Sequence, residues 1–202
     1  STAGDTVLLN AQPFTVACNK GPIAVAHNGN ITNAQFLRNE LERDGSIFQA
    51  TSDTEVILHL VARSREKTMS GALRDALLQL DGAFSLVFLA ENRLIVARDP
   101  HGFRPLAMGQ MELSGGKIAY VFASETCAFD LIGAVYISDV EPGEMVTVGP
   151  EGMTRSRYAP LAEKAHCVFE HVYFARPDSF VFGKSIAASR ERMGQMLATH
   201  CH

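Results

Sequence analysis

At 202 residues, 47% hydrophobic and 20% charged, with four Cys and no Trp, the chain is too apolar for a disordered segment and too poor in Cys for a disulfide scaffold. Eighteen basic residues against 22 acidic ones leave a net charge of -4, which offers no single-sign field for nucleic acid or an anionic membrane surface. No apolar run approaches the ~20 residues of a bilayer span, and one globular domain of this length buries enough surface for a full core.

The first strand is expected over residues 23–26, ending in a tight turn at His27-Asn28-Gly29-Asn30. Three amphipathic helices should follow. Thr32-Asn33-Ala34-Gln35 reads as a capping box ahead of Ala34, Leu37 and Leu41, with Gly45 closing the helix. Ser52-Asp53-Thr54-Glu55 reads as a second box ahead of Val56, Ile57, Leu60 and Val61. Ala72, Leu73, Ala76, Leu77 and Leu80 mark the third helix, which Asp81-Gly82 should end. From residue 83 the period changes, and 83–90 with 94–97 suit a hairpin. Further strands are expected at 106–108, 118–123 and 145–148, a short helix at 125–131, and a turn at Pro142-Gly143. The blocks of helix and strand point to a layered α+β fold, two stacked sheets with helices outside.

Four features carry possible chemistry. Asn28-Gly29 offers a side-chain amide and a backbone N–H that form an oxyanion hole if they converge, or simply a turn that tolerates positive φ. Asp53 at a helix start either gains from the helix macrodipole or faces a pocket and holds a ligand ammonium. Arg98-Asp99-Pro100-His101-Gly102-Phe103-Arg104-Pro105 is a rigid loop that binds an anion or locks itself through Arg–Asp pairing, and paired charges at strand ends are ordinarily solvated. His101 has no identifiable acid/base partner. Cys167, between His166 and an apolar stretch, reads as a small buried hydrophobe, and neither it nor His200-Cys201-His202 has metal-site spacing. Ser1 would suit an N-terminal nucleophile with its own α-amino group as base, yet a truncation point looks identical. The scattered cysteines suit reduced thiols in the cytoplasm.

Taken in order, these motifs resemble the glutaminase region of the amidophosphoribosyltransferase family. Ser1-Thr2-Ala3-Gly4 with Gln12-Pro13-Phe14, Ala26-His27-Asn28-Gly29-Asn30, Thr51-Ser52-Asp53-Thr54-Glu55 and Ala123-Ser124-Glu125-Thr126-Cys127 are similar to the family's motifs and follow in their order. So is the Arg98 to Leu106 loop. Several class II amidotransferases share the first motifs, whereas Phe169-Glu170-His171-Val172-Tyr173-Phe174-Ala175-Arg176-Pro177-Asp178-Ser179 is similar to the segment joining glutaminase to phosphoribosyltransferase. The resemblance implies a four-layer αββα sandwich of the N-terminal-nucleophile (class II glutamine amidotransferase) type, incomplete at its N-terminus. It implies residues 1–165 as the glutaminase domain and 166–202 as linker and start of the phosphoribosyltransferase region. Asn28 and Gly29 would form the oxyanion hole, and Asp53 would take the glutamine ammonium group.

The implied activity is the first committed step of purine synthesis: ammonia released from glutamine passes to phosphoribosyl pyrophosphate. The family's N-terminal Cys and the Arg that holds the glutamine carboxylate are expected upstream of Ser1, so the chain is read as a fragment inactive alone. The implied cofactors are magnesium, at a transferase site beyond the chain, and a [4Fe–4S] cluster in one subgroup, for which Cys167 would be one ligand. The implied partners are glutamine and phosphoribosyl pyrophosphate, with no nucleic acid or membrane, in a cytoplasmic homo-oligomer. The alternatives are the glutaminase domain of a sugar-phosphate amidotransferase and a noncatalytic module.

Overall fold

The computed structural model describes residues 5–160 and 162–200. In chain order the elements are β1 (Phe14–Cys18), β2 (Gly21–Ile31), α1 (Ala34–Arg43), α2 (Thr54–Arg63), α3 (Met69–Leu77), β3 (Gly82–Ala90) and β4 (Arg93–Arg98). Then come β5 (Ala107–Leu113), β6 (Lys117–Ala123), α4 (Cys127–Ile132), β7 (Val135–Asp139), β8 (Glu144–Gly149) and β9 (Gly152–Arg157). A π-helical turn at Glu170–Phe174, the ribbon β10 (Phe180–Val181) and β11 (Lys184–Ser185), and α5 (Ile186–His200) complete it. They group into two compact units, Ser1–Arg104 with Glu141–Lys164, and Pro105–Val140 with Ala165–His202.

The first unit is built on an antiparallel six-stranded sheet in the order β1-β2-β3-β4-β8-β9. Along β2, Ile23, Val25, His27, Gly29 and Ile31 are buried and alternate with more open neighbours, as a strand with one face in the core requires. Their partners Ala90, Phe88, Leu86 and Phe84 on β3 are buried on the same face. Against that face pack Leu37 and Leu41 of α1, Val56, Ile57, Leu60 and Val61 of α2, and Ala72, Leu73, Ala76 and Leu77 of α3, in one continuous core. These are the helical stripes expected from the sequence.

The second unit holds a three-stranded antiparallel sheet, β6-β5-β7, with Phe129 of α4 buried beside Ala107 and Ala134. Its C-terminal part centres on Ala175, Val181 and Ile186. Here two of the sequence motifs meet. Glu125 accepts hydrogen bonds from the Arg176 N–H (2.7 Å) and the Ser179 hydroxyl (2.9 Å), and Thr126 Oγ1 accepts from the Phe180 N–H (2.8 Å). Arg190 on α5 donates to the carbonyls of His171 and Ala175.

Several local expectations are corrected. Asn28-Gly29 is not a turn, because β2 runs unbroken from Gly21 to Ile31 and pairs with β3 from Ile23 to Ile31. The first capping box does not close: Asn33 makes no cap bond and instead holds the end of the α3–β3 connection through Gln79 O and the Asp81 N–H. In the second, Ser52 Oγ accepts from the Thr54 N–H, but Glu55 reaches back to the N–H groups of Gln49 and Ala50. Helix α3 ends before Asp81-Gly82, and Gly82 opens β3. The strand expected at 106–108 extends over Ala107–Leu113, and the short helix covers Cys127–Ile132. Gly45 does close α1, with φ of 89° and the Ser46 N–H returning to Leu41 O.

Candidate functional site

The site grows from the way β2 meets β3 and β4. Phe84 on β3 turns both backbone groups toward β4: its carbonyl accepts from the Asp99 N–H at 2.8 Å and its N–H donates to the Asp99 carboxylate at 3.2 Å. In an antiparallel ladder this makes Gly29 and Phe84 a non-hydrogen-bonded pair. The N–H groups of His27, Gly29 and Ile31 therefore point to the other side of β2. Strand β1 pairs there only as far as Val25, which leaves the edge beyond it open among the described residues.

Two of these N–H groups are occupied. His27 donates to Gln12 Oε1 at 2.6 Å and Ile31 donates to Asp53 Oδ2 at 2.9 Å. The Gly29 N–H faces the edge between them. Glycine is required at this point by its φ of 149° and by packing, since a Cβ would collide with the Ala83 carbonyl oxygen. The Asn28 side chain, half-buried and paired in register with Ser85, lies on the sheet face opposite the helices.

Asp53 is buried. It sits just ahead of α2 in helical conformation and makes no cap bond to its own helix. Its carboxylate instead serves β2, through the Ile31 bond and through His27, whose Nδ1 lies 3.7 Å from Oδ1. The sequence brought Asn28, Gly29 and Asp53 forward, and the structure places Gly29 and Asp53 along one strand edge. The sequence assigned no role to Gln12 or His27, which signal their roles only through the pairing of β2.

In the Arg98 to Pro105 loop the charged pair Arg98 and Asp99 is buried rather than solvated, which corrects its expected setting, while His101 is exposed. Asp99 is fully buried and accepts from the N–H groups of Phe84, His101 and Phe103. Arg98 donates to the carbonyls of Gly102 and Arg104. The loop is thus locked through backbone groups rather than by direct Arg–Asp pairing. Burial pushes the Asp99 carboxyl above the usual range, although the three N–H bonds and the Arg98 charge pull the other way.

Cys167 is partly exposed, and its carbonyl accepts from the Glu170 N–H. Among the described residues no three His, Cys, Asp or Glu side chains converge to hold a metal ion. The donor set for a cluster or for magnesium is therefore not supplied by them, and no metal-dependent step is assigned to this chain. No helix among the described residues is long and apolar enough to cross a membrane. Ser1, Cys201 and His202 lie outside the described residues.

Residues 3–130 match the Glutamine amidotransferase domain family, and the chain belongs to that family. Within it, the chain is 49% identical to Amidophosphoribosyltransferase 2, chloroplastic, of Arabidopsis thaliana, over 98% of this chain and 35% of the relative. It is 44% identical to amidophosphoribosyltransferase of Bacillus subtilis, over 98% of this chain and 41% of the relative. The solved structure of glutamine phosphoribosylpyrophosphate (PRPP) amidotransferase from B. subtilis, complexed with ADP and GMP, superposes with a TM-score of 0.90 at 44% identity, covering 96% of this chain and 42% of that one. The chain thus spans about two fifths or less of these relatives' length, and its fold is that of their class II glutaminase domain.

Proposed function

We propose that this chain is the glutamine-hydrolysing part of an amidophosphoribosyltransferase, hydrolysing glutamine to glutamate and ammonia, which the full protein adds to phosphoribosyl pyrophosphate to give phosphoribosylamine and pyrophosphate. The observation that carries the reading is the open edge of β2, where the Gly29 N–H lies two residues from the Ile31 N–H that anchors Asp53. Two residues of strand rise about 7 Å. An extended glutamine spans about 6 Å over the five bonds from its side-chain carbonyl oxygen to its α-nitrogen. One substrate therefore reaches the Gly29 N–H with its amide oxygen while its ammonium group meets the Asp53 carboxylate.

In this assignment the Asn28 side chain and the Gly29 N–H stabilise the oxyanion that forms when a thiolate attacks the amide, and Asp53 binds the ammonium group. The attacking thiol is not assigned to any residue of the given sequence. Residues 1–165 form the glutaminase domain and 166–202 open the linker. Magnesium belongs to the transferase chemistry, and a cluster in the full protein would draw one ligand, Cys167, from this chain. Cys18 and Cys127, which form no disulfide among the described residues, suit a reducing compartment such as the cytoplasm, and the full protein is proposed to be a homo-oligomer.

The test is Asn28→Ala in the full open reading frame. Loss of an oxyanion donor should cut glutamine-dependent turnover by about 10²–10³ and spare turnover with free ammonia, which bypasses the acyl step. Equal loss of both activities would mark Asn28 as a structural strand residue and sink the assignment.

A further inference from the structure

We propose that His27 is a positioning residue for the ammonium end of the substrate site, acting through the Thr54 hydroxyl on the Asp53 carboxylate. The proposal rests on the assignment of Asp53 to the glutamine ammonium group. His27 Nδ1 lies 3.0 Å from Thr54 Oγ1, and Thr54 Oγ1 lies 3.3 Å from Asp53 Oδ1. A hydroxyl has one proton to give. When Thr54 gives it to the carboxylate, its oxygen accepts from His27, so Nδ1 carries the proton and the relay runs His27 to Thr54 to Asp53.

All three side chains are buried, where such bonds are stronger and misalignment costs more than in water. The second carboxylate oxygen, Oδ2, is held by the Ile31 N–H. Oδ2 is thus held by the β2 main chain, and Oδ1 by the Thr54 and Ser52 hydroxyls, the first of which His27 on β2 orients. The same strand carries Asn28 and Gly29 directly after His27, and the His27 main chain is itself fixed by Gln12. One rigid strand thereby sets the distance between the two ends of the bound substrate.

A relay of this kind predicts a defect in recognising the ammonium group rather than in the chemistry. The experiment compares kcat/KM for glutamine and for 4-carbamoylbutanoate, which is glutamine without its α-ammonium group, in the full open reading frame. Free-ammonia turnover is measured alongside. His27→Leu and Thr54→Val should each lower the preference for glutamine about tenfold or more, through KM, since hydrogen bonds to a charged group are at stake. Turnover of the analogue and of ammonia should stay at the wild-type level. His27→Asn, whose Nδ2–H can stand near the place of Nδ1–H, and Thr54→Ser should recover most of the preference.

An Asp53→Asn variant that loses the preference beside His27→Leu and Thr54→Val variants that keep it would overturn the role of His27 alone. An Asp53→Asn variant that keeps the preference would overturn the Asp53 assignment and this inference with it. Parallel loss of ammonia turnover in both His27→Leu and Thr54→Val would reduce His27 to a structural core residue and overturn the proposal.

Discussion

Asp99 joins strand pairing to loop shape through a single side chain, because its carboxylate accepts from Phe84 on β3 and from His101 and Phe103 in the loop after β4. Asp99→Asn keeps the size but turns one acceptor into a donor facing an N–H group. It should cost about 1–3 kcal/mol, the penalty of a buried group left unsatisfied, and a urea titration reads it as a lower midpoint at unchanged slope. An unchanged midpoint would show that the loop does not depend on the carboxylate. Nothing in the sequence distinguished this buried Asp from a solvated one, because its partners are backbone N–H groups without side-chain identity. Asn28, Gly29 and Asp53 could be singled out as candidates because an amide, a glycine and a carboxylate stand beside a strand and a helix start, although each also suits an ordinary turn or helix start. His27 could not, since a lone His in an apolar stretch acquires a role only when Thr54 and Asp53 are folded against it.

Helices α1, α2 and α3 and the β3–β4 hairpin were legible because each carries a buried stripe, and burial imposes a period on the sequence. Strands β1, β7 and β9 were not, since most of their residues are exposed and no alternation marks them. The Asn-Gly signal misled for a different reason: the glycine answers the close approach of Ala83, a contact between strands far apart in sequence. Strand β9 is held at its end by Arg155, which donates to both oxygens of Glu144 on β8. Burial of Glu144 works to raise its carboxyl pKa, but the Arg155 bonds and the Glu141 N–H outweigh this and hold it below the ordinary range. A folded-state pKa below the unfolded one stabilises above the unfolded value, and that contribution is lost as pH falls through the folded value. Glu144→Gln should thus be less stable than the wild type at neutral pH by about 1–3 kcal/mol. The gap should narrow as a series of urea titrations moves from neutral pH to below the ordinary carboxylate range. A gap that stays constant or widens on acidification would contradict the assignment.

The two units differ in how their cores are made. The first has one continuous cluster of large aliphatic and aromatic side chains drawn from four strands and three helices, together with Leu80, Tyr158 and Ala159. The second, among the described residues, includes two small clusters centred on Ala107, Phe129 and Ala134 and on Ala175, Val181 and Ile186, beside buried Leu106, Met108, Cys127 and Val140. Regions with fewer buried apolar contacts open at lower free energy, so more of the second unit's order falls to polar ties, and Glu125 carries two of them to Arg176 and Ser179. Native-state hydrogen exchange should show amides of β2, β3 and β4 exchanging only through the largest openings, and those of 175–185 through smaller ones. Glu125→Ala removes the acceptor of the Arg176 N–H and of the Ser179 hydroxyl while leaving Thr126 to hold Phe180. Exchange at Arg176 should accelerate about tenfold to a hundredfold, as expected for losing a hydrogen bond to a charged group, with a smaller change at Phe180. Amides of β3 should exchange as before, because none of the lost bonds touches that sheet. Acceleration spread evenly over both units would show that the molecule opens as one cooperative body, and unchanged exchange at Arg176 would show that the segment is held by its apolar contacts alone.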